Sequence, residues 1–307
     1  TGANPWPARY DRSHTTAEAR QAYSDDDKTP ASLAGRLMAM RTFGKLAFAS
    51  LQDGSGRLQL SFHFEDFGER YAELKSLDIG DFIGVGGYLW KTQKGEITLR
   101  VQSYDLLAKS LRPLPEKFHG LVDAEKRYRQ RYLDLIVNDE TREVFRKRSA
   151  LVAGMRRFLD ERGFIEVETP VLQPLYGGAA AQPFVTHYNA LDRDLYLRIS
   201  DELYLKRLII GGFDKVYEIS KDFRNEGIDG RHLQEFTMME LYQAYADMED
   251  ILRLTEDMVR HLAVDVLAIP TAEYDEQVID FTQPFGRMSI RDAVLEWAGL
   301  DIATASH

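Results

Sequence analysis

The sequence predicts an α+β protein in two parts, a small barrel of five strands followed by an antiparallel sheet with flanking helices. Three observations predict it. Between Ser32 and Leu107 the text breaks into short β-like runs separated by glycine: LAGRLMAMRTFG, KLAFASLQD, GRLQLSFHF, GDFIGVGGYLWKT and EITLRVQSYDLLA. From Asp139 to Arg162 apolar residues recur at helical spacing, with Gly163 just past the end. Later, two extended segments, Lys215–Phe223 and Phe236–Tyr245, flank a loop dense in ionisable groups.

Taken in order, residues 1–30 are polar, with the acidic run Asp25-Asp26-Asp27, and read as a short helix around Thr15–Tyr23 plus a linker. The domain at 31–108 follows. Asp53-Gly54-Ser55-Gly56 reads as a hairpin turn, and Asp66–Leu77 as a helix through Phe67, Tyr71 and Leu74. Five strands with one helix after the third match an OB-fold barrel. Residues 109–135, with Pro113, Pro115 and the basic cluster Lys126–Arg131, read as the interdomain connector. In the second domain, 136–307, the long helix places Val144, Phe145, Val152, Met155, Phe158 and Leu159 on one side. A strand at Phe164–Thr169, an irregular Gly177-Gly178 loop and a strand at Leu195–Ile199 come next. Ser200 is placed to cap a helix over Asp201–Ile210, Asp247 caps Met248–Leu267, and a last helix covers Ile290–Ala298.

Composition excludes several function classes. The 307 residues, 44% hydrophobic, suffice for a sizeable core in two domains. Without cysteine there is no disulfide, thiolate metal site or cysteine nucleophile. No run of 18 apolar residues and no apolar leader occur, so a cytoplasmic protein with no membrane partner is expected. The net charge of −10 leaves room only for a local basic stripe if RNA is bound. A chain that opens at Thr1 and stops at His307 is expected to be part of a longer one.

Two sets of side chains carry chemistry. On the barrel strands, Arg36, Arg41, Phe43, Lys45, Phe48 and Gln59 make a basic and aromatic face suited to stacking single-stranded bases. The plainer alternative is that Phe48 and Phe62 are core. In the second domain, strand alternation puts Phe236, Met238, Glu240 and Tyr242 on one face, and Met239 and Leu241 on the other, toward helices. A carboxylate on a sheet face needs a cation. That cation is either a ligand's ammonium, with the Tyr242 hydroxyl beside it, or the chain's own Arg224 or Lys206. Arg224 and Glu226 open the loop, where an arginine can bind phosphate or carboxylate through two hydrogen bonds. Gly177-Gly178-Ala179 brings bare backbone close to a ligand, and Glu202 lies near a helix start that favours an acid in any case.

GFIEVETPVLQP at 163–174 and FRNEGIDGRHLQEFTMMELY at 223–242 resemble motifs 1 and 2 of the class II aminoacyl-tRNA synthetases. The run YGGAAAQPFVTHYNALDRDLYLRISDELYLKRL resembles lysyl-tRNA synthetase of the bacterial type. GRLMAMRTFGKLAFASLQDGSGRLQL resembles the anticodon-binding domain of the lysyl, aspartyl and asparaginyl enzymes. The resemblance implies ATP-dependent activation of lysine and its transfer to tRNA(Lys), by a homodimer built through motif 1. It implies that Arg224 bridges the ATP α-phosphate and the lysine carboxylate, and that Glu226, His232 and Phe236 hold ATP. It gives lysine to Gly178, Glu202, Glu240 and Tyr242, and the anticodon to Arg36, Phe48 and Gln59. Magnesium is implied with ligands beyond residue 307 and none within this chain. The family's His-Asn-Pro-Glu-Phe reads here as His232-Leu233-Gln234-Glu235-Phe236, which alters the turn shaping the adenine pocket. No third motif follows Leu262, so the catalytic sheet is expected to be incomplete. Two alternatives follow from that gap: a non-catalytic RNA-binding or regulatory relative, and a relative of the lysine ligase acting on elongation factor P, against which the barrel text weighs.

Overall fold

The structure, a computed structural model, describes residues 7, 9–26, 28–115 and 121–304; Asp27 of the acidic run and part of the connector lie outside them. It forms two compact units, 1–139 and 140–307.

In the first unit, helix α1 (Thr16–Ala22) is closed by a capping box between Thr15 and Glu18. The Asp53 carboxylate, in the hairpin turn, accepts from Thr16 N at 2.8 Å and Thr16 Oγ1 at 2.6 Å, fixing the helix to the barrel. Strands β1 (Pro30–Phe43), β2 (Leu46–Gln52) and β3 (Arg57–His63) form a meander. The helix expected at 66–77 is tighter than its spacing suggested: α2 covers Phe64–Phe67 and a 3-10 segment continues over Gly68–Ser76. The break is Gly68, at φ 58°. Strands β4 (Phe82–Lys91) and β5 (Ile97–Ala108) close the barrel in the order β1-β2-β3-β5-β4, with β3 and β5 parallel. Leu33, Leu37, Leu51, Leu58, Leu60, Phe62, Ile83, Val85 and Leu99 fill it, each fully or almost fully buried. Each such side chain stabilises the barrel by roughly 1.5–3 kcal/mol.

The connector is structured where it is described. Helices α3 (Ala124–Arg129) and α4 (Arg131–Val137) pack around buried Asp134, which accepts hydrogen bonds from Arg127 at 2.9 Å and from Arg131 and Asn138.

The second unit begins with α5 (Asp139–Asp160). Strand β6 is only Ile165–Glu166, because Thr169 leaves the sheet to donate both its N–H and its hydroxyl to the Glu218 carboxylate. Strands β7 (Leu172–Gln173), β8 (Val185–Tyr188) and β9 (Arg193–Leu197) make a small sheet ordered β7-β9-β8. Helix α6 spans Glu202–Ile210. Strands β10 (Lys215–Phe223) and β11 (Glu235–Gln243) pair antiparallel, and β6 pairs parallel with β10. Helix α7 (Met248–Arg260) runs on as a π-helical turn over His261–Val266. The β12–β13 hairpin (Thr271–Tyr274 and Gln277–Asp280) was not legible, since its turn holds Asp275 and Glu276 at positive φ in place of the usual glycine. Helix α8 covers Ile290–Ala298.

The core of this unit lies on one face of the β10–β11 ribbon. Phe158, Leu159, Tyr217, Met258 and Leu262 are buried there, with Ile219, Met239 and Leu241 packed on them. The alternation read for β11 therefore holds, and the other face of the ribbon is left for polar groups. Val144 and Phe145, expected to continue the buried stripe of α5, stand exposed instead.

Candidate functional site

The polar face of β10–β11 is organised around Arg198, just past β9 and only 4% exposed. Its guanidinium reaches Glu218 at 2.7 Å, Asp201 at 3.0 Å and Asp222 at 3.4 Å, and donates to the Lys221 and Thr169 carbonyls. In the ladder Glu218 faces Glu240 and Asp222 faces Phe236, so these acids belong to one sheet face. Ser220 donates to Asp201 Oδ2 at 2.7 Å. One guanidinium thus serves three buried carboxylates, touching Asp201 Oδ1 and Asp222 Oδ1 through ion-pair contacts without hydrogen-bond geometry. Burial, reinforced by neighbouring acids and only partly opposed by the Ser220 hydrogen bond and Arg198 at Asp201 and by Arg198 and Arg224 at Asp222, raises Asp201 to about 6 and Asp222 to about 7.

Glu240 stands half-buried at the edge of this cluster. It accepts from Ser200 Oγ at 2.7 Å, Asp201 N at 3.3 Å and Tyr242 Oη at 3.3 Å. Burial, and then the Glu240 charge, push the Tyr242 phenol upward, which keeps it protonated and donating. Neither internal cation reaches Glu240. Lys206 pairs with Glu202 at 2.6 Å and lies 5.8 Å from the Tyr242 ring centre, while Arg224 lies 5.3 Å from the Phe236 ring centre. Oxygens of Asp201, Asp222 and Glu240 all lie within 4.8 Å of one another, a grouping able to hold a cation.

Ser200 does not cap α6 as the sequence suggested. Asp201 occupies the cap position, and the Ser200 hydroxyl accepts from Glu202 N while donating to Glu240. Gly178, at φ 89°, sits against this turn; a Cβ there would lie 2.8 Å from Ser200 Oγ and 2.9 Å from Glu202 Cβ. Gly178, Glu202, Glu240 and Tyr242 are thus brought together. Glu202 is engaged by an exposed ion pair of the weak i,i+4 kind, which a ligand's ammonium could displace.

The loop between the strands forms a second compartment. Arg224, Glu226, Gly227, Arg231, His232, Leu233 and Phe236 line a cavity of about 260 Å³. Gln182 N donates to Glu226 Oε1 at 3.2 Å. Asp229 accepts from the backbone of Arg231 and His232 and contacts His232 Nδ1 at 2.6 Å, orienting the ring; these bonds hold its carboxyl below the usual carboxylate range. Gln234, at the altered turn, bridges the loop through its amide to the Glu226 and Gly227 carbonyls at 3.4 Å. A larger hollow of about 890 Å³ lies in the first unit, floored by Tyr71, Leu74 and Leu77, and contains none of these groups.

On the barrel, Phe48 and Gln59 are half-buried on the outer face, while Phe62 is fully buried. The register pairs Phe48 with Ser61 and Ser50 with Gln59, which makes Phe48 and Gln59 diagonal neighbours. Arg41 pairs with Phe48 in the same row. Arg36 is set apart: it donates to the Gly80 carbonyl at 2.8 Å and stacks 4.2 Å from the Phe82 ring centre. Trp90, which the sequence reading passed over, donates to Ser61 Oγ on this face at 3.2 Å.

Asp201, Ser220, Asp222, Arg198 and Asp229 were also missed. The same alternation that selects Glu240 on β11, applied to β10, places Glu218, Ser220 and Asp222 together.

An OB-fold nucleic-acid-binding domain model matches residues 31–107, and the model described as tRNA synthetases class II (D, K and N) matches residues 123–304. The chain is 52% identical over 302 residues to a lysine–tRNA ligase of Clostridium botulinum, and 52% identical over 301 residues to one of Pelotomaculum thermopropionicum. Against a lysine–tRNA ligase of Syntrophomonas wolfei it is 51% identical over 303 residues. Each alignment takes in 98% of this chain and 60% or 62% of the relative, so the chain spans about three-fifths of those proteins. With its synthetase match covering more than half of its length, the chain belongs to the class II tRNA synthetase family of the D, K and N type.

Proposed function

We propose that the protein is a lysine–tRNA ligase that activates lysine with ATP and passes the lysyl group to tRNA(Lys). One observation carries this reading. Glu240 projects from β11 with three donors around it and, among the described residues, no cation of the chain paired to it. A lysine ε-ammonium supplies the missing charge, and an amino acid lacking that cation leaves the carboxylate unpaired, a strong basis for rejection. Glu202 takes the α-ammonium in place of Lys206, and Gly178 lets the backbone approach.

Arg224 stands between this pocket and the loop cavity, donating to the Ile199 carbonyl at 3.4 Å with its Nε unpartnered. On this reading it holds the lysine carboxylate and the ATP α-phosphate together. The carboxylate oxygen attacks phosphorus, the bond to pyrophosphate breaks, and no protein nucleophile is needed. Phe236 lies under the adenine, with Glu226 and His232 beside the nucleotide. The loop cavity offers two arginines and one carboxylate, which is already hydrogen-bonded; it suits phosphate and does not suit a magnesium ion, and no step here passes through one.

The outer barrel face takes the anticodon, Phe48 stacking a base and Gln59 reading an edge, with Arg36 at its rim. A homodimer through α5 and the segment after it is supported by exposed Val144, Ile165 and Leu172. No helix among the described residues is long and apolar enough to cross a membrane, and work on tRNA assigns the protein to the cytoplasm on this reading.

Lysine-dependent exchange of pyrophosphate into ATP tests the proposal in the whole protein. Arg224→Ala is expected to lower it by on the order of 10²–10³-fold. Undiminished exchange in that variant, or exchange equally supported by norleucine, would refute the assignment.

A further inference from the structure

We propose that the open hollow between the β1–β2 hairpin and the 3-10 segment after Gly68 is a binding site for a small amphipathic anion, a medium-chain alkyl carboxylate. It belongs wholly to the first unit and owes nothing to the lysine reading above.

The hollow measures about 890 Å³, within the roughly 300–1,000 Å³ of small-molecule sites. Its walls follow from the strand pattern. Met40 and Thr42 pair with buried Ala49 and Ala47 and so share the core-facing side of the hairpin, yet Met40 is only partly buried and Thr42 is exposed. Opposite them the 3-10 segment supplies Tyr71, Ala72 and Leu74, with Leu77 and Ile79 after it. The barrel interior is already filled by its own leucines, and Ile79 and Phe64 stand exposed at the hollow. An apolar concavity open to water is unfavourable until something apolar occupies it. The walls are mainly aliphatic, and Met40 is adaptable in shape, which favours an alkyl chain over a flat ring.

The polar groups here decide the charge of the ligand. Lys45 and Lys75 line the hollow, and among the described residues neither is paired with a carboxylate; Lys45 Nζ lies 5.4 Å from the Phe64 ring centre. Of the two lining acids, Asp78 is already held by Lys109 at 2.7 Å, which leaves Glu69 against two ammoniums. The Tyr71 hydroxyl in the wall is buried without a hydrogen-bond partner, and burial pushes this phenol up, so it remains a donor in want of an acceptor. Two cations and a lone donor match an oxyanion head, while the aliphatic walls match the chain behind it.

Calorimetric titration of the whole protein with hexanoate, octanoate and decanoate tests this. One carboxylate per chain is expected to bind saturably, about fourfold more tightly for each methylene added. Decylammonium, the same chain with a cationic head, is expected not to bind. Ala72→Trp fills the hollow from an exposed position, so it should keep the wild-type melting midpoint and abolish decanoate binding. Lys45→Met combined with Lys75→Met should weaken decanoate about fivefold, as expected for exposed ion pairs. Equal binding to folded Ala72→Trp would make the association adventitious and overturn the site. Should that variant fail to fold, undiminished binding to the double lysine variant overturns it instead. Absence of saturable decanoate binding to wild type, or equal affinity for decylammonium, also refutes it.

Discussion

At the scale of single residues, the site depends on groups held where an isolated side chain would not stay. Gly178 is the tightest case, with positive φ and no room for a Cβ beside Ser200. Gly178→Ala should cost about 1–3 kcal/mol in backbone strain and displaced neighbours, read as a lowered unfolding midpoint together with weakened lysine binding. An unchanged midpoint and unchanged binding would show that the loop tolerates the side chain. Asp201 and Asp222 give a pH dependence of definite sign. Their folded values, about 6 and about 7, lie above the ordinary 3.8, so the folded protein keeps protons that the unfolded chain has lost. Their contribution to stability is present below pH 4 and is lost as pH rises through about 7. Melting temperature should therefore fall between pH 5 and pH 8, and Asp222→Asn should flatten that slope; an equally steep slope in the variant would remove Asp222 as its source. The sequence disclosed Glu240 and Tyr242 because strand alternation needs only the strand itself. Alternation along β10 groups Glu218 with Asp222 in the same way, but nothing local brings Asp201, at the start of α6, and Arg198, past β9, against them; only tertiary packing makes them adjacent.

At the scale of elements, the helix behind the ribbon is located by a small residue. Gly154, in the middle of α5, lets Val266 and Leu262 approach; a Cβ would lie 2.7 Å from Val266 Cγ2. Gly154→Val should destabilise the second unit by about 1–3 kcal/mol through overpacking, measured as a shifted denaturant midpoint, while a neutral result would mean that the crossing can widen. On the barrel, Phe48→Ala should weaken RNA binding by about 1–3 kcal/mol without changing lysine binding; loss of both would contradict the division of labour. Long periodic elements were legible: α8, β10 and the barrel strands fall where their patterns put them. Elements set by backbone events were not, as with the 3-10 segment after Gly68 and the glycine-free hairpin turn at Asp275-Glu276.

At the scale of the whole molecule, a barrel with an aromatic, basic outer face and a sheet with an acidic, open face are joined in one chain whose net charge is −10. The acidic balance is informative, because part of it is not surface: Asp201, Glu218 and Asp222 are buried under the ribbon. Arg198 is shared among these three acids, and on the proposed reading the cation that Glu240 receives at their edge is the lysine ammonium. The direct measurement is a calorimetric titration of the protein with lysine and, separately, with norleucine, which has the same carbon skeleton without the distal amine. Saturable lysine binding that norleucine does not reproduce, and that Glu240→Gln abolishes, is the predicted result. Equal affinity for the two amino acids, or lysine binding that survives Glu240→Gln, would contradict the account.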